Sequence, residues 1–143
     1  MTEKPIVQRF AEMVKDMPDL TYDSKNPHFK NEYLSLQGLM KAIKPTLDKH
    51  GFILVQPTKN VSHPDVFSLT TQFIHIETGD IYIAAESLIP VYERGQDYGS
   101  RLTYTRRYDI ITAIGQAPDK DDDNGNENEL PKPPTNRRRT LRN

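Results

Sequence analysis

The sequence contains no cysteine in its 143 residues. This excludes a disulfide framework, a metal site built on thiolates and a cysteine nucleophile. No apolar run approaches the length of a membrane span, and the first residues lack the apolar stretch of a signal peptide. We therefore expect a soluble intracellular protein.

The chain also lacks a charge excess and a phosphate-binding loop. Its formal net charge is -1, so any nucleic-acid site must depend on local charge. No segment resembles the loop G-x-x-x-x-G-K-[ST], which argues against ATP-driven chemistry. The four histidines are scattered without the spacing of metal ligands. The sequence thus predicts a protein that is not an enzyme and that holds neither a cofactor nor a metal.

The last part of the chain has few apolar residues. Residues 121–123 are an acidic run, a proline-rich patch follows, and an arginine cluster comprises Arg137, Arg138, Arg139 and Arg142. Apolar burial there cannot offset the entropy lost on ordering, so we predict one folded domain over residues 1–115 and a disordered tail over residues 116–143. The arginine cluster fits a hook for nucleic acid or a partner protein, or a solubilising end. The acidic run fits a cation site or solvated carboxylates.

Hydrophobic periodicity predicts the order helix, helix, strand, strand, strand, helix. The predicted helices cover residues 5–17 and 34–50, the strands cover residues 52–56, 66–76 and 81–89, and the last helix ends at Gly115. This order indicates an α+β fold in which a three-stranded antiparallel β-meander packs on helices. Ser35 should cap the second helix, and Pro45 should kink or break it. Because two other helices can cover the sheet, the first helix offers a candidate subunit contact, the stripe formed by Ile6, Phe10, Val14 and Met17.

Residues 95–109 combine glycines, tyrosines, threonines and arginines. The two glycines loosen the backbone, and Ser100 is the expected N-cap of the last helix. On a helical wheel Tyr104, Tyr108 and Ile111 share an apolar face, flanked by Arg106 and Arg107. The pattern fits either a helix that presents cations to an anionic ligand or an ordinary core helix whose arginine stems reach the surface. We expect Tyr108 in the core.

Cations, aromatic rings and hydroxyls occur together at two places in the chain. Single-stranded nucleic acid needs this mixture, since cations contact phosphates, hydroxyls form hydrogen bonds and bases stack on rings. The first place lies around Phe29, and the second is the last helix. The candidate DNA-binding residues are Lys30, Tyr33, Arg101, Tyr104, Arg106 and Arg107.

Five segments carry a family resemblance: NPHFKNEYLSL (26–36), LDKHGFILVQ (47–56), HIETGD (75–80), GSRLTYTRRYDI (99–110) and DKDDD (119–123). In this order and spacing they resemble the ERF superfamily, the essential recombination function proteins of phages and prophages. The resemblance implies ATP-independent binding of single-stranded DNA and annealing of complementary strands in homologous recombination and DNA repair. It also implies a homo-oligomer, as a ring or helical filament, in the cytoplasm of a bacterial host. A double-stranded-RNA-binding-domain-like order, helix, three strands, helix, is implied for residues 36–115.

Other functions fit the same residues. The chain could be a recombination accessory or loader that binds DNA and partner proteins without annealing strands, with a single-strand-binding protein or an exonuclease as candidate partners. It could also be a nuclease that uses the acidic run. The subunit number and the sheet face that would hold DNA are open at this point.

Overall fold

The computed structural model describes residues 3–25, 32–90 and 95–118. The described part contains, in chain order, α1 (Ile6–Lys15), β1 (Ser24–Lys25), β2 (Glu32–Tyr33), α2 (Leu36–Lys49), β3 (Phe52–Val55), β4 (Thr58–Asn60), β5 (Val66–His75), β6 (Ile81–Pro90) and α3 (Gly95–Ala113). The predicted α+β class is confirmed. Of the described helices, none has both the length and the apolar character that crossing a membrane requires.

A four-stranded antiparallel sheet lies at the centre of the fold. Strand β5 is its middle strand, β6 pairs along one side of β5, and β3 and β4 pair with successive parts of the other side. The predicted three-stranded meander lacked β4, because the three residues of β4 are polar and exposed, and Pro57 before them has no N–H for strand pairing. Instead, the N–H of Thr70 donates to the carbonyl of Pro57 at 3.1 Å, and the chain continues along β5. The predicted order also lacked the short β1–β2 pair.

One face of the sheet carries the hydrophobic core. Along β5, within the strand predicted over residues 66–76, the residues Leu69, Thr71, Phe73 and His75 are buried and their neighbours are half-buried. Residues of all three helices join the same core as Phe52 and Phe73 of the sheet. The helices therefore cover this face together.

The apolar stripe of α1 belongs to that core. The ring of Phe10 is 8% exposed, stacks on Tyr82 at 4.1 Å and meets Phe73 edge-on at 5.0 Å. Ile6 and Val14 pack against the same core. The prediction that this stripe contacts another subunit is wrong, because the long strands β5 and β6 need a third helix to cover them.

The observed helix boundaries test the cap predictions. Ser35 caps α2, since its Oγ accepts from the N–H of Gly38 at 3.0 Å. The helix then continues through Pro45 to Lys49 without a break. The prediction for α3 was wrong, because the helix begins at Gly95, so Ser100 and Gly99 lie inside it. A glycine inside a helix costs about 1 kcal/mol relative to alanine, which the packing of α3 must outweigh.

The described chain ends just beyond α3. The side chain of Gln116, which the sequence interpretation assigned to the tail, is held by the segment after α1. Its Oε1 accepts from the N–H of Leu20 at 2.9 Å, and its Nε2 donates to the carbonyl of Pro18 at 2.8 Å. Gln116 is therefore part of the folded unit, and the predicted tail from residue 119 onwards lies outside the described residues.

Candidate nucleic-acid interface

The short β1–β2 pair is tied to the start of α2 by one carboxylate. Asp23 accepts from the N–H of Ser35 at 2.8 Å and from its Oγ at 2.9 Å, and Ser24 Oγ donates to Asp23 at 3.0 Å. The hydrogen bond from the Ser35 N–H is the main cause that lowers the pKa of Asp23. This connection fixes the strand residue Tyr33, whose carbonyl accepts from the N–H of Asp23 at 3.0 Å.

Tyr33 meets α3 in a tyrosine–arginine cluster, which consists of Tyr33, Tyr104, Arg107 and Tyr108. The guanidinium of Arg107 lies 5.2 Å from the ring centre of Tyr33, 5.8 Å from that of Tyr104 and 4.5 Å from that of Tyr108. The last two rings lie 4.4 Å apart. These distances are those of cation–π contacts, which gain strength where water is excluded.

Arg107 is an interior member of the cluster. It is 9% exposed, and its Nη1 donates to the carbonyl of Leu34 at 3.3 Å. The predicted role of Arg107 as a phosphate contact therefore has little geometric support, since a phosphate would have to displace the rings that surround the guanidinium. Its position is that of a residue that holds the rings in place.

Tyr108 lies on the outer side of the cluster and is 36% exposed. The prediction that Tyr108 belongs to the core was wrong. At 100° per residue, Tyr108 is roughly 60° from Ile111 on the helical wheel but roughly 160° from Ile110, so it stands at the edge of the apolar face. Greater weight on Ile110, which is fully buried, would have placed the ring at the surface.

Arg101 lies on the same side of α3 as the exposed ring. The spacing of Arg101, Tyr104 and Tyr108 is i, i+3, i+7, which aligns them along one helix face. Arg101 and Tyr104 are half-buried. This face therefore presents, in a line of about two helical turns, one guanidinium and two aromatic rings, backed by Arg107 and Tyr33.

Arg106 points to a different part of the protein. Its Nε donates to Gln56 Oε1 at 3.2 Å, and Gln56 Nε2 donates both to the Arg106 carbonyl at 3.1 Å and to Thr71 Oγ1 at 3.0 Å. These bonds fix α3 on the sheet. The structure thus separates Arg106 from the other predicted residues of α3, and sequence spacing gave no signal for the role of Gln56.

A half-buried acid lies next to this anchor. Asp109 accepts a hydrogen bond from Ser87 Oγ at 2.7 Å. Burial raises the pKa of Asp109 above its ordinary value, and the hydrogen bond from Ser87 partly opposes that rise. Asp109 thus joins α3 to β6 but does not belong to the cluster.

Two predicted features lie outside the described residues: Lys30 and the acidic run at residues 121–123. Within residues 3–25, 32–90 and 95–118, no three histidine or acidic side chains come together as a metal site requires. Of the six predicted site residues, the structure brings together Tyr33, Tyr104 and Arg107, places Arg101 beside them and sets Arg106 apart.

Comparison with known proteins adds one finding. No curated protein and no solved structure matches this chain. A family model described as the ERF superfamily matches residues 6–142, which include the three described helices, the described strands and both segments that build the cluster. The resemblance that those segments carry is thus confirmed. The chain belongs to the ERF superfamily.

Proposed function

We propose that this protein binds single-stranded DNA along the outer face of α3 and anneals complementary strands in phage or prophage recombination, without ATP. Membership of the ERF superfamily supports a role in recombination. The observation that carries the proposal further is the line formed by Arg101, Tyr104 and Tyr108, with the exposed ring of Tyr108 at one end. A cation beside ring faces is what a flexible nucleic-acid strand requires.

The two ends of this line have different tasks. The guanidinium of Arg101 contacts a phosphate, and the ring of Tyr108 offers its exposed side to a base. Arg107 and Tyr33 hold the rings from within, so the stacking surface is ordered before the strand arrives. Lys30 remains a predicted further phosphate contact. The protein contacts the phosphate backbone and the base faces of the DNA strand, so the base edges stay available for pairing. Base pairing itself then supplies the free energy of annealing.

The same mechanism requires many adjacent sites. The line Arg101, Tyr104 and Tyr108 of one copy contacts only a few nucleotides. Base pairing between two strands begins from a longer stretch of ordered nucleotides. We therefore infer a homo-oligomer that places successive copies along one strand. The fold of a single copy does not determine how many subunits this homo-oligomer contains.

The test measures binding of a labelled oligothymidine at several salt concentrations. Arg101→Gln should reduce the slope of log affinity against log salt by about 0.7, the value for one lost phosphate contact on a single strand. Tyr108→Ala should weaken binding by about 5- to 150-fold, which corresponds to about 1–3 kcal/mol for one stacked base, with the slope unchanged. Strand annealing, followed by fluorescence transfer between labelled complementary strands without ATP, should slow in both variants.

Matched variants separate contact from fold. Tyr108→Phe keeps the ring and should bind as the wild type does, and Lys15→Gln removes an exposed cation from α1 and should leave the slope unchanged. Circular dichroism checks that each variant is folded. If Arg101→Gln and Tyr108→Ala bind single strands with wild-type affinity and slope, the outer face of α3 is not the DNA site. Binding without any annealing would favour the accessory or loader function.

A further inference from the structure

The second face of the sheet carries an exposed aliphatic surface. All three described helices join the core on the first face. On the second face, Ile53, Ile81 and Ile83 are exposed by 47%, 50% and 57%. They belong to an aliphatic patch whose six members are all β-branched: Ile53, Val55, Ile74, Ile76, Ile81 and Ile83. Exposed aliphatic residues in one contiguous patch mark an interaction surface, unlike single ones scattered over a protein.

Strand register explains how the patch forms. Ile53 pairs with Ile74, and Ile74 pairs with Ile81, so three isoleucines lie in one row across three strands. The next row contains Val55, Gln72 and Ile83. A bulge in β6 after Ile83 then changes the alternation, and Glu86 and Leu88 become the outward residues of that strand. The patch is thus confined to one half of the face.

The other half of this face is mixed, with polar side chains beside the exposed Leu88. Thr70 pairs with Glu86 in one row, and Lys59, Ser68 and Leu88 form the next. Lys59 stands on one edge of the sheet and Glu86 on the opposite edge, and both are exposed. The face therefore has an aliphatic half, a single amide in the middle and opposite charges at opposite edges.

The chemistry of this face selects its partner. A strand of DNA needs aromatic rings and several cations, whereas the patch is wholly aliphatic. A membrane surface favours a basic rim, whereas the charged residues at the turn beside the patch are Glu77 and Asp80, and both are acidic. The same sheet face of a second copy matches the patch better, because aliphatic side chains interdigitate between two sheets that pack about 10 Å apart.

We propose that two copies of this chain pack these faces together around a two-fold axis that runs parallel to the strands over β5. This operation keeps the strand direction and exchanges the two edges of the sheet. Ile53 of one copy then lies over Ile81 of the other, and Ile74 and Gln72 each lie over their own symmetry mates. Lys59 of one copy comes to lie over Leu88 of the other, one row along the strands from Glu86, so the two opposite charges meet diagonally at the paired edges. A two-fold axis perpendicular to the strands at the middle of the face would instead set isoleucines against the mixed half.

This interface adds a surface to the assembly inferred above, but it rests on the sheet and not on the DNA site. Its tests are therefore made without DNA. In sedimentation velocity the wild type should behave as an even multiple of the 16.5 kDa chain. Ile83→Asp, at a side chain that faces away from the core, should keep the circular dichroism spectrum of the folded chain and reduce the assembly to half its mass or less.

Charge exchange tests the orientation. Lys59→Glu should weaken the assembly by roughly tenfold, because a symmetric interface contains two such pairs. Combining Lys59→Glu with Glu86→Lys should restore wild-type assembly, since the opposite charges meet again. A double variant that is no tighter than the single one would overturn the proposed orientation.

Single cysteines locate the axis, since the natural sequence has none. Gln72→Cys lies on the axis and should form a covalent dimer with a short bismaleimide. Ile53→Cys alone should not, because its symmetry mate is at the other edge, whereas Ile53→Cys combined with Ile81→Cys should link. A wild type that stays monomeric at high concentration, an Ile83→Asp variant of unchanged mass, or linking at Ile53→Cys but not at Gln72→Cys would each overturn the proposal.

Discussion

Replacing Phe10 tests whether α1 belongs to the core or to a subunit contact. Its ring lies between Tyr82 and Phe73 and is almost fully buried. Truncating a buried phenylalanine to alanine costs about 3–5 kcal/mol, from lost burial and the cavity left behind. A domain of this size has a stability of about 5–15 kcal/mol, so Phe10→Ala removes a large part of it.

The expected effect is large in a urea titration followed by circular dichroism. With a slope of about 1–3 kcal/mol per molar urea, a loss of about 4 kcal/mol moves the midpoint down by about 2 M. Val7→Ala is the matched control, since Val7 lies on the same helix and is 56% exposed. Its free energy of unfolding should change by less than about 0.5 kcal/mol.

Mass measurements complete this test. All variants are compared at one protein concentration, because the midpoint of an oligomer depends on concentration. Phe10→Ala should lose stability, and its folded fraction should keep the assembly of the wild type. If Phe10→Ala instead keeps the wild-type midpoint and sediments as a smaller species, α1 is an interface and its placement in the core is wrong.

Two further predictions concern Asp23 and Asp109, the carboxylates that hold the β1–β2 pair and α3 in place. A Cβ at Gly38 would overlap the Asp23 carboxylate, so Gly38→Ala should lower the melting temperature. In an Asp23→Ala background the same change should instead stabilise the fold by up to about 1 kcal/mol, because alanine has the higher helix propensity. A loss of stability in both backgrounds would refute the Asp23 contact. The pKa of Asp109 is raised, so the folded state binds its proton more tightly than the unfolded state, and stability falls as pH rises through that folded pKa. Asp109→Asn should therefore melt higher than the wild type at pH 7 and equally near pH 4, and an equal difference at both pH values would contradict the burial of a charged carboxylate.

Much of the fold was predictable because local patterns and packing agree. The alternation along β5 and the Ser35 cap each depend on residues within a few positions of one another. The errors came where distant contacts decide. A proline such as Pro57 usually interrupts strand pairing, yet its carbonyl accepts a hydrogen bond from the N–H of Thr70. A glycine such as Gly99 disfavours a helix, yet α3 continues through it. Periodicity also identified the apolar stripe of α1 correctly but could not tell whether a sheet or another subunit covers it.

The site was predictable as a composition but not as a geometry. Cations and aromatic rings in one helix indicated a nucleic-acid contact. The sequence pattern could not show, however, that Arg101, Arg106 and Arg107 have different roles. Their partners differ because of residues elsewhere in the chain, since Gln56 binds Arg106 and the Leu34 carbonyl binds Arg107. Only the folded structure distinguishes an arginine that anchors the helix from one that orders the rings.

The long-range contact of Arg107 explains why two separate segments build one surface. The bond from Arg107 to Leu34 joins positions 73 residues apart, and the ring of Tyr33 contacts the same guanidinium. Without Tyr33, one side of that guanidinium loses its aromatic partner, and without Arg107 the rings of Tyr104 and Tyr108 lose the cation that fixes them. The segments around Tyr33 and Tyr104 therefore depend on each other physically, and neither could supply an ordered stacking surface alone.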